Sequence, residues 1–517
     1  MSSPVAAMSG ISVVIVLIAL DQTVVGTALP RIVAELQGFG LYPWVAAAYL
    51  LGNAILIPLT GRLGDLHGRK PYLLAAIALF TLASVLCGIA DSMFLLVLAR
   101  GLQGIGGGML VGSAFASVTD LFPDTLQRVR WQVMLSASFG TASALGPVLG
   151  GWMTEHLGWR SVFFVNLPVG LVALPLVWRH LPLVVHADEH RGPAVDWLGV
   201  LLLTLAMGML LLATEFAEQL GFSNPLLWGM IASALAAGAA FVAHQRRSSA
   251  PIIPPRLFAD PTVIRLSLLA MLTGCVMFVL LFYAPLLLQA GFSLSPKRAG
   301  LLVTPILVCV TLGSIVNGRL IPRLARPQRL FPAGALVLAG SLALLCGVSA
   351  TTPSWQLLSI FAVCGFAFGF QLPNLTIQMQ AAVERRDQGA ASALIQTLRT
   401  LGSMCGASLA GLIVSLGFGR GVAAVLAREG ITAPQVLHLF ASPQLLLRDE
   451  EQQALLQLGQ AQGFDAAALL NQVRLGLVSG VHEAFFGCLL LTLVTWLLSR
   501  HLPPFVRREK GQGTGTR

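Results

Sequence analysis

Ionisable residues stand where hydrocarbon should exclude them. Asp21 lies within the apolar stretch 9–30, Arg100 within 94–118, and Glu155 closes the stretch 131–155. An intramembrane charge must be paired, hydrated or neutralised by a proton. A buried carboxylate that alternates between charged and neutral forms can take up and release a proton, which is the chemistry of proton-driven transport. By the helical rise, Asp21 sits about 13 Å and Arg100 about 9 to 10 Å from the outer ends of their helices, depths that allow them to pair. The competing readings are that Asp21 fixes helix packing with Gln22 and Thr23, and that Arg100 snorkels to the interface. Glu155 could be a helix-end carboxylate paired with Arg160 or His156. Glu483, in the last span, is a further carboxylate candidate, and Glu215 and Glu218 read as solvated loop charges.

A second group could bind a substrate. Asn53, Phe278, Phe282, Tyr283, Gln371, Asn374, Gln378 and Gln396 are polar or aromatic residues in apolar stretches expected to face a cavity. A broad apolar pocket with few polar anchors suits amphiphilic compounds. Enzyme chemistry finds no support: there is no His/Asp/Glu metal cluster and no nucleophile elbow. The run GIGGGM lacks the Lys and Ser/Thr of a phosphate loop. The sequence therefore points to no cofactor, no metal and no direct drive by ATP.

Positioning these residues takes membrane helices. Of 517 residues, 56% are hydrophobic and 10% charged, against roughly 25% charged in a soluble domain. Fourteen mostly apolar stretches appear, at 9–30, 43–61, 72–90, 94–118, 131–155, 161–178, 197–214, 225–243, 264–289, 299–318, 331–349, 355–380, 389–416 and 476–499. With a cytoplasmic N-terminus, 22 of the 32 Lys and Arg fall on the cytoplasmic side and eight outside, leaving only Arg100 and Arg399 inside helices. That asymmetry predicts a multi-pass protein of the cell (inner) membrane with both termini cytoplasmic. The net charge of +10 is scattered between apolar runs, so it marks topology and gives no nucleic-acid patch. MSSPVAAMSG has no basic region, which argues against a cleaved signal peptide. The seven cysteines lie singly in seven spans and read as packing residues.

The chain also repeats itself. Gly61-Arg62-Leu63 returns as Gly318-Arg319-Leu320, 257 positions later, each followed by a further Arg. Such a spacing suits two related membrane halves with a substrate site between them. The expected fold is all-α integral membrane, two six-helix bundles related by a repeat plus two inserted helices. The bundles are residues 1–182 and 258–517, with a linker and the inserted pair at 183–257 and an outer loop at 417–475. LRDEEQQALLQLGQ in that loop has helical spacing and reads as a solvated cap ahead of a partner-docking element.

Four local patterns share one resemblance. The segment Gly61 to Lys70, with Gly61, Leu63, Asp65, Gly68, Arg69 and Lys70 in place, resembles the G-x-L-x-D-x-x-G-R-K signature of the major facilitator superfamily. Arg100-Gly101-Leu102-Gln103-Gly104 is similar to its R-x-x-Q-G motif, and Gly140, Gly146, Pro147, Gly150 and Gly151 to its antiporter motif G-x(5)-G-P-x-x-G-G. Leu20-Asp21-Gln22-Thr23-Val24-Val25 through Pro30 resembles the first-span signature of the fourteen-helix drug/proton antiporters. The run Gly158 to Gly170 looks like that branch's W-R-W-x-F-x-x-N-x-P-x-G, with Ser161 replacing the second Trp, and Gln396 to Ala407 like its late Arg-containing helix. In the second copy of the loop signature Pro322 stands where Asp65 would be matched, so any latch is asymmetric.

The resemblance implies a proton-coupled exporter of amphiphilic toxic compounds working by alternating access, a multidrug efflux and antibiotic-resistance function. Asp65 would help latch the two bundles, Arg100 would serve proton transfer, and Glu155, where the family often has an acidic residue just before the W-R segment, would be the second proton-coupling candidate after Asp21 and ahead of Glu483. Its partners would be a small-molecule substrate, protons and the lipid bilayer, with an adaptor protein at the outer face left open. The alternative is an exporter dedicated to one endogenous metabolite, siderophore or lipid.

Overall fold

The computed structural model describes residues 4–122, 125–183, 196–220, 224–248, 251, 257, 259–383, 388–429, 443–446, 449–462 and 465–503, and among them there is no β-strand. The helices that carry the argument are α1 (Pro4–Leu36), α2 (Tyr42–His67), α3 (Arg69–Gly88), α4 (Met93–Leu121), α5 (Thr125–His156), α6 (Ser161–Phe164) and α7 (Asn166–His180). They continue as α8 (Trp197–Leu220), α9 (Pro225–Gln245), α10 (Pro261–Leu286), α11 (Pro296–Leu320), α12 (Leu330–Leu345) and α13 (Ser354–Ala382). The last three are α14 (Gln388–Glu429), α15 (Asp449–Gln462) and α16 (Ala466–Ser499). Among the described residues twelve helices are long and apolar enough to cross a membrane, α6 and α7 together forming one of them. Two of the fourteen expected spans fall outside that set. They are α5, which contains the expected span 131–155, and α8, whose described apolar part is Trp197–Ala213.

Two helix groups pack by the same plan. In the first, α1 lies against α5 and α7, α2 against α4, and α3 against α4 and α7. In the second, α10 lies against α14 and α16, α11 against α13, and α12 against α13 and α16. Glycines set the register. A Cβ on Gly108 would come 2.8 Å from the carbonyl oxygen of Asn53, and one on Gly369 2.5 Å from that of Val310. Asn53 and Val310 are 257 positions apart, the offset already seen between Gly61 and Gly318. The groups meet where α5 packs on α11, α2 on α14 and α1 on α10. A common apolar core joins Val24, Ala28 and Ile32 to Val279, Val303 and Ile306. Large apolar side chains such as Leu82, Trp178, Leu235 and Trp355 stay exposed, as the lipid-facing wall of a membrane bundle requires.

Of the inserted pair, α8 packs on both α2 and α14, and α9 packs on α8. Asp196 ties their ends together. Its Oδ1 accepts from the Gly199 amide at 2.9 Å and lies 2.7 Å from His244 Nε2, and its Oδ2 accepts from Gln245 Nε2 at 2.6 Å.

Several helix ends depart from the expected limits, and those of α2, α14 and α16 have a clear cause. The segment after the second span is helical to His67, so Gly61 and Asp65 lie within α2 and Gly68, at φ 82°, makes the turn alone. A side chain there would be strained, which is why glycine stands at that position. Its counterpart α11 stops at Leu320, where Pro322 cannot continue the ladder. The outer loop expected at 417–475 is shorter than drawn, because α14 runs on to Glu429 and α16 begins at Ala466. Gly417 and Gly421 sit against Gly480 and Gly476, so the two backbones touch and each helix is held well past its apolar run.

Candidate functional site: a buried carboxylate network

Asp21 is the centre of the site. Its Oδ2 accepts from Arg100 Nη1 at 2.8 Å, and its Oδ1 accepts from Gln103 Nε2 at 2.7 Å and Asn166 Nδ2 at 2.9 Å. Arg100 Nη1 also donates to Gln103 Oε1 at 2.6 Å, while Arg100 Nε donates to the Val45 carbonyl at 3.3 Å. Ser84 Oγ closes the ring, accepting from Gln103 at 2.5 Å and Asn166 at 3.0 Å. Tyr49 lies under the guanidinium at 4.3 Å. Asp21, Arg100, Gln103, Ser84 and Asn166 are each at most 1% exposed.

Five helices build this arrangement, with α2 supplying the Val45 carbonyl and the Tyr49 ring. Arg100 and Gln103 are three residues apart on one face of α4, Asp21 comes from α1, Ser84 from α3 and Asn166 from the start of α7. An ionised carboxylate only accepts hydrogen bonds, and here every partner offers a donor. Removing either member of such a buried pair typically costs about 3 to 5 kcal/mol, because the other is left as an uncompensated charge. Among the described residues the second bundle has no equivalent. With Gly365 in the place of Gly104, Phe361 and Cys364 occupy the positions of Arg100 and Gln103, and both are fully buried.

Glu155 belongs elsewhere. It is exposed at the end of α5, and its Oε2 accepts the Lys297 amide of α11 at 3.2 Å, so it bridges the two bundles. The expected pairing with Arg160 does not form, since Arg160 is bound to Glu35 and to the Ala90 carbonyl. Glu483 pairs with Arg420, also at the exposed end.

The glycines that resemble an antiporter motif act by shape at the seam. Gly146 and Gly150 admit Thr23 and Thr27 of α1, whereas Gly140 faces Thr311, Gly151 faces Pro296 and the Pro147 carbonyl faces Gly300, all on α11. Further contacts close the same end of the molecule, remote from Gly68. Tyr42 donates to the Phe282 carbonyl at 3.0 Å and Gln289 to the Thr27 carbonyl at 3.0 Å. Gln289 lies in a π-helical turn, Leu287–Gly291, that continues α10. Of the expected latch, Arg69 and Lys70 open α3 and are partly exposed; the Asp65 side chain lies outside the described residues.

The substrate candidates divide. Phe278 stacks on Phe282 at 4.7 Å, and Tyr283 donates to the Ala407 carbonyl at 2.9 Å, all near the seam. Gln396 is partly exposed and accepts from Arg399 at 2.6 Å. Gln371 and Gln378 are buried with their amide nitrogens unbonded. Two candidates turn inward: Asn53 is buried against Gly107 and Gly108 of α4, and Asn374 donates to Asn317 at 2.9 Å. Gln103, Ser84 and Asn166 were not singled out as site residues, although Gln103 and Asn166 stand inside quoted motifs; Ser84 carries no signal at all.

Two repeated helical bundles meeting along a seam, with a charged network buried in one of them, define a multi-span membrane transporter. The sequence profile of the Major Facilitator Superfamily matches residues 11–407 and 266–515, and the chain belongs to that superfamily. It is 29% identical to the multidrug transporter protein MdtP of Bacillus subtilis (strain 168), over 97% of this chain and 94% of that protein. It is 32% identical to the multidrug resistance protein Stp of Mycobacterium tuberculosis (strain CDC 1551 / Oshkosh), over 77% and 74% of the two chains. A bacterial homologue of the human lysosomal transporter Spinster, solved in an inward-facing and occupied conformation, shares the fold. The TM-score is 0.66 at 16% identity, over 97% of this chain and 98% of that one.

Proposed function

We propose that this transporter is a proton-coupled exporter of amphiphilic toxic compounds, of the fourteen-helix drug/proton antiporter branch. The observation that carries the reading is the Asp21–Arg100 pair, at 2.8 Å and without solvent contact. A charged pair is an expensive way to hold helices together, since apolar residues of similar volume often do as well or better. A carboxylate that must alternate between two protonation states justifies the cost. Ionised, Asp21 holds Arg100, Gln103 and Asn166 to α1. Protonation would release Arg100, loosen α1 from α4 and α7, and favour the alternative arrangement of the bundles.

In this reading α5 and α8 complete fourteen spans, residues 1–182 and 258–517 are the moving halves, and 183–257 carries the inserted pair. Both termini and Gly68 face the cytoplasm, so the closed end bearing Glu155 and Lys297 faces outward. Asp65 then latches the cytoplasmic face in the opposite state, and Asp65→Asn would slow transport while leaving insertion intact. The test is transport of dyes and drugs into vesicles under an imposed pH gradient. Substrate movement indifferent to the gradient would reject proton coupling.

A further inference from the structure

We propose that Arg399 anchors a negatively charged group of the exported compound, so that the transporter selects amphiphilic anions; this rests on the export reading above. Arg399 is one of two arginines expected inside helices, and the two are held quite differently. Arg100 has Asp21. The described ion pairs that remain are Arg160–Glu35, His244–Asp196 and Arg420–Glu483, and Arg399 takes part in none. Its one hydrogen bond goes to the neutral Gln396.

Snorkelling does not account for it. Arg399 is eleven residues into α14, about 16 Å along the axis, more than its side chain can bridge. Nor is it a relic of the repeat. Gly402 and Gly406 correspond to Gly146 and Gly150 in spacing and in their packing on the bundle's first helix, so Ser143 occupies the position of Arg399 in the first bundle. Arginine stays protonated at neutral pH and offers a planar fork of donors suited to carboxylates and sulfonates.

The neighbouring groups also offer donors. On α10, Thr273 and Gly274 are adjacent: Thr273 donates to Gln371 Oε1 of α13 at 3.3 Å, and Gly274 packs against the backbone of Arg399. Gln371 and Arg399 therefore sit at one level on two helices flanking α10. The bond from Thr273 fixes the Gln371 amide and leaves its Nε2 buried without an acceptor; Gln378 Nε2, two turns along the same face of α13, is likewise unbonded. Buried donors without acceptors are costly unless something arrives to accept from them. An anionic group would satisfy the charge of Arg399 and the amide of Gln371 together.

The test uses two probes that share a ring system, the anion 8-anilinonaphthalene-1-sulfonate and the neutral N-phenyl-1-naphthylamine, with tetraphenylphosphonium as a cation. Gradient-driven uptake is measured in inside-out vesicles. The expected result is that wild type moves the sulfonate, and that Arg399→Gln loses it at least tenfold while moving the neutral amine within twofold of wild type. Because Arg399 has no counter-charge among the described residues, Arg399→Gln should also melt no lower than wild type. Should Arg399→Gln fail to insert, Arg399→Lys serves, with a partial loss confined to the sulfonate. Equal effects on both naphthyl probes, or no effect on either, would overturn the assignment. Wild type moving the amine and the phosphonium but never the sulfonate would overturn it and leave the export reading standing; gradient-independent behaviour with all three would remove both.

Discussion

Asn166 donates a 2.9 Å hydrogen bond to the Oδ1 of Asp21, 145 residues away in the chain. Through it the signature that opens α7 and the one inside α1 serve a single carboxylate, and Gln103 adds the α4 motif at 2.7 Å. Three patterns scattered over the first bundle thus become one object, a charged group held by donors from separate helices. A change of its protonation state reaches α1, α4 and α7 at once, which is how a local event acquires a global readout.

The glycines of α5 should differ sharply from Gly61 of α2. A Cβ on Gly146 would collide with Thr23, whereas one on Gly61 meets nothing within 4 Å. Gly146→Ala should cost about 1 to 3 kcal/mol through overpacking, partly restored by Thr23→Ala. Gly61→Ala, inside α2, should be neutral or stabilising by up to about 1 kcal/mol. Thermal unfolding of Gly146→Ala, of Gly146→Ala with Thr23→Ala and of Gly61→Ala checks both, and equal effects at the two glycines would remove the close-approach argument.

Closure of the end remote from Gly68 rests partly on Tyr42 and Gln289. Tyr42→Phe and Gln289→Ala should each weaken it by about 0.5 to 1.5 kcal/mol. Spin labels at Glu155 and Lys297 would report this as a larger population of long distances. An unaltered distance distribution in the double variant would mean that these bonds do not hold the seam.

Asp196 predicts a pH effect outside the membrane. Burial raises its carboxyl, but the Gly199 amide and the side chains of His244 and Gln245 outweigh that and hold it below the ordinary 3.8. A folded value below the unfolded one gives stability that is complete above the unfolded value and lost as pH falls through the folded value. Asp196→Ala should therefore lower Tm at pH 7, with the difference from wild type shrinking below about pH 4. A difference constant with pH would assign the effect to packing.

Reporter fusions test the orientation drawn from the 22 to 8 split of basic residues. Reporters at Gln328 and the C-terminus should be cytoplasmic, and one near Gln460 external. Gln460 and the C-terminus on one side would contradict the arrangement, since α16 alone separates them.

The helical plan and the Asp21–Arg100 pair were legible in the sequence, because apolar length reports spans and equal depth allows two charges to meet. The rest of the shell was not. Ser84 is an ordinary small residue until Gln103 and Asn166 reach it, and Glu155 gave no hint that its partner was an amide of the other bundle. Helix ends failed where the deciding contact was remote: Gly417 and Gly421 extend α14 because Gly480 and Gly476 lie opposite. Asn53 and Asn374 look alike as cavity residues from sequence, since polarity does not say which side of a helix faces the seam.

The central claim is that protonation of Asp21 drives transport, and Asp21→Asn tests it most directly, keeping size and hydrogen bonding while fixing the neutral state. Substrate binding and pH-gradient-driven uptake should be measured side by side in vesicles, with Asp21→Glu as the conservative control. The account predicts that Asp21→Asn still binds a neutral substrate but loses uphill transport, and that Asp21→Glu retains part of it. Gradient-driven pumping by Asp21→Asn at the wild-type rate would contradict the account and leave the Asp21–Arg100 pair a structural fastening.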